Sequence, residues 1–215
     1  QSRYSDTRVV YAAKALTNLA LTRILVEEGL GMDVVSGGEL AMARAGGMSQ
    51  DLVYFHGNNK SRAELEEAMA WGIGKIVVDS FHELDILEQV AKEAGRTQQV
   101  LVRVSPSVDP HTHRYISTGI TDSKFGFSIS NGQAEQAVRQ AIASPNLDMV
   151  GLHCHIGSQV FEIEPYQDAI RVTLEFASRM REVGLRMAEF SPGGGFGIAY
   201  TRDEDPPSIA QYAEA

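Results

Sequence analysis

The sequence predicts an α/β fold, a (β/α)8 TIM-type barrel that is incomplete: about seven βα units, with the eighth strand expected beyond Ala215. Three observations carry this expectation. Short apolar, β-branched runs alternate with longer amphipathic ones, with no linker or low-complexity break between them. Helix-start and helix-stop residues fall between those runs in consistent register. Polar or unusual residues stand at the C-terminal end of nearly every apolar run.

The strands are read at residues 9–13, 32–35, 52–55, 75–78, 100–104, 149–155 and 187–190. Ser61 with Glu64 and Ser80 with Glu83 have capping-box spacing, and each pair follows a strand directly. Gly29, Gly72, Gly95 and Gly184 each follow an amphipathic run, where a left-handed helix terminus favours glycine. At the strand ends come Lys14, then Ser36, His56 with Asn58, Asp79, Arg103, His155 with Ser158, and finally Gly193, Gly194 and Gly195. An open doubly wound sheet binds ligands at one switch point and uses few strands. A ring brings every strand end to one mouth, as barrel active sites require. The barrel is therefore preferred, as a single domain over residues 1–215.

Composition narrows the function. At 43% hydrophobic and 22% charged residues, with a net charge of −9, the chain has an ordinary globular balance and lacks the basic surface that nucleic acid demands. No apolar run is long enough to cross a bilayer, and no partner membrane is expected. The first ten residues have no apolar stretch of signal-peptide length and no initiator Met, so the start reads as trimmed. A single cysteine, Cys154, leaves no internal disulfide and makes the cytoplasm the default location. Small-molecule chemistry is the better expectation.

Two elements carry that chemistry. Lys14 ends the run Val9-Val10-Tyr11-Ala12-Ala13, so its amine emerges from a buried strand. Alone it reads as an amine reaching solvent; a desolvated lysine can instead form a Schiff base with an aldehyde. The segment Ser191-Pro192-Gly193-Gly194-Gly195-Phe196-Gly197 lets backbone N–H groups approach an anion closely. It has neither the Gly-Lys-Ser/Thr ending of a P-loop nor dinucleotide spacing, and so fits a phosphate without a nucleotide. In Gly151-Leu152-His153-Cys154-His155-Ile156-Gly157-Ser158, strand alternation puts His153 and His155 on one face and Cys154 on the other. With His111 and His113 this offers two His-x-His pairs and a competing zinc-hydrolase reading. No acid accompanies either pair at ligand spacing, and a metal accounts for neither Lys14 nor the glycines; no metal is expected.

With a lysine at strand one, a His-Ile-Gly-Ser turn at strand six and three glycines after strand seven, the chain resembles the alanine-racemase-like barrel of fold-type III pyridoxal-phosphate decarboxylases. Tyr11-Ala12-Ala13-Lys14-Ala15 is similar to that family's cofactor-lysine motif. His56-Gly57-Asn58-Asn59-Lys60-Ser61 resembles a stretch typical of its diaminopimelate-decarboxylating branch. Val35 to Leu40, His111-Thr112-His113, Ile116 to Gly119, and Ser123-Lys124-Phe125-Gly126 agree with it. The likeness covers essentially the whole chain.

The resemblance implies pyridoxal 5'-phosphate as cofactor and decarboxylation of meso-2,6-diaminopimelate to L-lysine as activity. It implies that Lys14 holds the cofactor as a Schiff base and that His155 stacks on its ring. Ser158, Gly193, Gly194 and Gly195 bind the phosphate, and Arg103 sits near the ring as a positioning group. A homodimer whose sites are completed by C-terminal residues of the partner chain is also implied, as is a β-rich domain downstream. A decarboxylase of ornithine or arginine type, or a non-catalytic relative that binds the cofactor, are the alternatives. Leu16-Thr17 stands where many relatives have Asn-Pro. The family's Glu-Pro-Gly-Arg and Cys-Glu-Ser segments, and the tyrosine that meets substrate, do not occur in residues 1–215.

Overall fold

A computed structural model describes residues 4, 6–108 and 124–215. His111, His113, residues 116–119 and Ser123 lie outside them. The strands are β1 (Val10–Ala12), β2 (Gly31–Val34), β3 (Val53–Phe55), β4 (Lys75–Val78), β5 (Gln98–Ser105), β6 (Phe127–Ser128), β7 (Leu147–Cys154) and β8 (Glu189–Ser191). They form one sheet in the order β1-β2-β3-β4-β5-β7-β8, with β6 beside β5. Pairing is parallel wherever its register is defined, as in Tyr11 opposite Met32 and Leu152 opposite Phe190. From β1 to β5 every sequence neighbour is a sheet neighbour. A doubly wound sheet would reverse its order at a switch point, so this sequential order is that of a partial (β/α)8 barrel.

Two compact units divide the chain: residues 1–101 with 143–148, and residues 102–142 with 149–215. The first carries α1 (Leu19–Glu27), α2 (Gly37–Ala45), α3 (Arg62–Trp71) and α4 (Phe81–Ala94) between its strands. Asn18, Ser36, Ser61 and Ser80 cap them, each side-chain oxygen accepting a backbone N–H of the first turn. β3 and β4 are buried at every position, as strands covered on both faces must be. Phe55 and Ile76 meet water nowhere, and neither do Leu65 and Leu84 of the helices. Each such side chain contributes about 1.5–3 kcal/mol.

The second unit carries α5 (Gln133–Ala143), α6 (Glu164–Met180) and α7 (Ile209–Glu214). On α6, Tyr166, Ala169, Thr173, Phe176, Ala177 and Met180 form the buried stripe of an amphipathic helix, while Asp168, Arg171 and Glu175 pair on the wet face.

All seven expected strands are present within a few residues of their expected bounds. Three details differ. β1 ends at Ala12, one residue before its expected bound, and Lys14 follows it on a 3-10 turn spanning Ala13–Ala15. The two-residue β6, too short to leave a periodic signal, was not expected, nor was α7 with its Ser208–Gln211 capping box. Finally, Ser80 accepts from the Glu83 N–H, but the Glu83 carboxylate does not return to Ser80; it accepts from the Asp79 N–H and meets a lysine.

Candidate active site

In the first unit the residues after β1, β3 and β4 hold the chemistry. Lys14 is exposed on its turn, so the chain alone does not desolvate the amine. Asp33, the lone acid of β2, is opposite Ala12 in register and bonds the His56 imidazole, Nε2 to Oδ1 at 3.2 Å. A second cluster lies beneath the segment that follows β3. Lys60 reaches back into the core with a side chain 1% exposed, and its ammonium meets Glu83 Oε1 at 2.8 Å and the carbonyls of Gly57 and Val77 at 2.5 and 2.9 Å. Burial pushes the Glu83 carboxyl above its ordinary range, and the ammonium of Lys60 opposes that. An open depression lined by Gln50, Asp51 and Trp71 precedes β3 and β4, at the opposite strand ends, and contains none of the expected residues.

In the second unit, Cys154 is buried beside Thr173 of α6, and burial pushes its thiol up to about 11. Residue 154 therefore faces the helices, and His153 the other side of the sheet. His153 is buried and its Nδ1 is 2.8 Å from the Ser191 hydroxyl, the residue opposite it on β8. Among the described residues no three His, Cys, Asp or Glu side chains gather as a metal site.

His155 begins the loop after β7 and lies against the three glycines. Gly193 and Gly195 take φ of +79° and +89°, conformations that side chains rarely adopt. A Cβ on Gly193 would sit 2.5 Å from the Cys154 carbonyl oxygen and 3.0 Å from His155 Nδ1; one on Gly195 would sit 1.9 Å from the Gly157 carbonyl oxygen. At Gly194, nothing lies within 4 Å of that position. The loop is thus pressed onto the His155–Gly157 turn at both ends and open in the middle. Tyr166 reaches the Gly194 carbonyl through its hydroxyl at 3.4 Å, and burial raises its phenol. Ser158 is exposed beside this turn. Arg103 is half-buried, its guanidinium 4.6 Å from the centre of the Phe125 ring.

The structure therefore brings together His155 and Gly193, Gly194 and Gly195 within the second unit, and joins His56 to Asp33 within the first. Asp33, Lys60 and Glu83 were not singled out from sequence as site residues. An acid within the apolar run Gly31–Val34 was a legible signal for Asp33, whereas the Lys60–Glu83 pair is made only by tertiary contact.

The profile of the family described as "Pyridoxal-dependent decarboxylase, pyridoxal binding domain" matches residues 1–215. Diaminopimelate decarboxylase of Bacillus subtilis is 45% identical over 208 residues, which are 96% of this chain and 47% of that protein. The Synechocystis sp. diaminopimelate decarboxylase is 42% identical over 223 aligned residues, 100% of this chain and 47% of the relative. The chain thus spans about half the length of these curated relatives. The crystal structure of diaminopimelate decarboxylase from M. jannaschii with L-lysine superposes with a TM-score of 0.92 at 37% identity, over 100% of this chain and 50% of that one. A lysine/ornithine decarboxylase from Vibrio vulnificus with putrescine gives a TM-score of 0.76 at 26% identity, over 99% and 52%. An exposed lysine after the first strand, a histidine set against a glycine loop and a family match along every residue agree with one another: this chain belongs to the pyridoxal-dependent decarboxylases, as their pyridoxal-binding domain.

Proposed function

We propose that the protein carrying this chain decarboxylates meso-2,6-diaminopimelate to L-lysine, and that this chain holds its pyridoxal 5'-phosphate. The observation that carries the reading is the glycine loop closed at both ends and open at Gly194, with His155 lying along it. Such a cradle suits a phosphate ester attached to a flat ring. When bound, pyridoxal phosphate supplies a conjugated ring that takes up the electron pair left as CO2 departs.

The chain's own residues divide the remaining work. Lys14, exposed on its turn, presents an amine that can condense with an aldehyde and would serve as the covalent anchor, a Schiff-base lysine. His155 offers its imidazole face, and the press of Gly193 and Gly195 limits the ring's freedom to rotate. The backbone of Gly193, Gly194 and Gly195 and the Ser158 hydroxyl take the phosphate, whose charge suits backbone N–H donors. Arg103 is the positioning group near the ring. Orienting a bound substrate against the ring is the work these residues would do.

The substrate assignment draws on the 45% and 42% identity to the diaminopimelate decarboxylases of Bacillus subtilis and Synechocystis sp.. The working unit is proposed to be a homodimer in the cytoplasm. Cys154 is a free, buried thiol, and among the described residues no helix is long and apolar enough to cross a membrane. The test is CO2 release by the whole protein supplied with meso-diaminopimelate, ornithine, arginine or lysine at equal cofactor saturation. Turnover of diaminopimelate is expected to exceed the others by at least about a hundredfold, the discrimination that a site built to pair a substrate's polar end can reach. Faster turnover of ornithine or arginine overturns the substrate assignment, and no turnover of any supports a non-catalytic relative.

A further inference from the structure

The turn after β7 and the glycine loop after β8 are joined by more than their strands. Gln159, one residue beyond Ser158, has a φ of +56°. Residues other than glycine, asparagine and aspartate seldom enter that region, and they persist there where surrounding contacts hold them. The contacts here come from the residue's own side chain. Its Nε2 donates to the Ile198 carbonyl at 3.0 Å, and its Oε1 accepts from the Ile198 N–H at 3.1 Å. A side-chain amide thus pairs with a backbone 39 residues away as a neighbouring strand would.

The next residue continues the seam. Val160 donates its N–H to the Gly195 carbonyl and accepts from the Gly197 N–H, both at 3.0 Å. Tyr212 of α7 adds a bond from its hydroxyl to the Val160 carbonyl at 2.7 Å. Residues 159–160 and 195–198 therefore move as one piece, and that piece carries both Ser158 and the glycine loop. A glycine at 159 would take the same φ without strain but could not make the amide pair, so what the chain gains from glutamine there is the seam.

We infer that Gln159 is a positioning residue for the phosphate of the cofactor, fixing Ser158 and the glycine loop relative to each other and so setting affinity for the phosphate group in particular. This rests on the reading of the glycine loop as a phosphate cradle. The experiment titrates the whole protein, stripped of cofactor, with pyridoxal 5'-phosphate and separately with pyridoxal, following the absorbance of the bound form. Wild type should prefer the phosphorylated form strongly. Gln159→Met, similar in size but unable to pair with Ile198, should lower that preference about tenfold, with the pyridoxal Kd changed less than twofold. Gln159→Gly should do the same with its backbone unstrained, which covers the case in which the methionine variant does not fold. If both affinities fall together, or neither falls, Gln159 is only structural and the inference is overturned. A wild type that binds both forms equally overturns the phosphate-cradle reading itself, and the inference with it.

Discussion

Replacing Lys60 with methionine should destabilise the protein more than any surface change and make its stability depend on pH in a defined direction. The ammonium is enclosed by Glu83 and two backbone carbonyls, with the lysine side chain 1% and the glutamate side chain 5% exposed. Removing one partner of such a pair leaves an uncompensated buried charge, which costs about 3–5 kcal/mol. That is a large share of the 5–15 kcal/mol typical of a whole domain, as a rough general figure. Burial already raises the Glu83 carboxyl above its ordinary 4.5 while Lys60 pulls it down, so losing Lys60 raises it further. From pH 4.5 up to the folded value, the native state then keeps a proton that the unfolded chain has lost, and stability falls as pH rises through that window. The penalty of Lys60→Met is therefore smallest in acid and largest at neutral pH. Urea unfolding followed by circular dichroism at several pH values measures it. The double variant Lys60→Met with Glu83→Leu should recover about 2 kcal/mol or more relative to Lys60→Met, since apolar replacement of a buried pair is often neutral. Additive losses in the double variant, or a penalty independent of pH, would refute the reasoning.

Other outcomes follow from the second unit. His155→Ala should weaken cofactor binding by about 0.5–1.5 kcal/mol, read by titration. His153→Ala should instead lower unfolding stability by about 1–3 kcal/mol, because it strands the Ser191 hydroxyl; equal effects of the two on cofactor affinity would argue for a joint role. Gly195→Ala should destabilise by at least about 2 kcal/mol, since its Cβ would strike the Gly157 carbonyl from a left-handed backbone, whereas Gly194→Ala should fold normally and lose cofactor affinity alone. With its thiol pushed up to about 11, Cys154 should resist iodoacetamide at pH 8 until the protein is unfolded, as mass spectrometry would show.

Much of this was legible in the sequence because it is local. The capping box at Ser61 and Glu64 and the helix-ending glycines at 72 and 95 depend on residues a few positions apart, and they appear where the pattern puts them. Glu83 shows the limit: its spacing from Ser80 is right for a box, but a lysine 23 residues earlier in the chain offers a buried carboxylate a stronger partner than the Ser80 N–H. The same holds at the candidate site. The glycines at 193, 194 and 195 could be read as a cradle because φ and close approach are properties of glycine itself. Nothing local announces that Gln159 turns left-handed or that its amide finds Ile198. β1 ends one residue short of its apolar run because a strand's end is set by where its neighbour's pairing stops, at Asp33 opposite Ala12, and not by that run alone.

The central claim, that Lys14 is the cofactor's covalent anchor, is tested most directly by reducing the whole protein with borohydride in the presence of pyridoxal 5'-phosphate and locating the modified peptide by mass spectrometry. The account predicts one phosphopyridoxyl group, on Lys14, and none in Lys14→Ala, whose thermal unfolding should be unchanged because the side chain is exposed and its loss leaves no cavity. Lys75, buried at the start of β4 with its amine 5.0 Å from the centre of the Tyr54 ring, and Lys124, beside Phe125, are the next candidates. A phosphopyridoxyl group on either of these, or one retained by Lys14→Ala, would contradict the account.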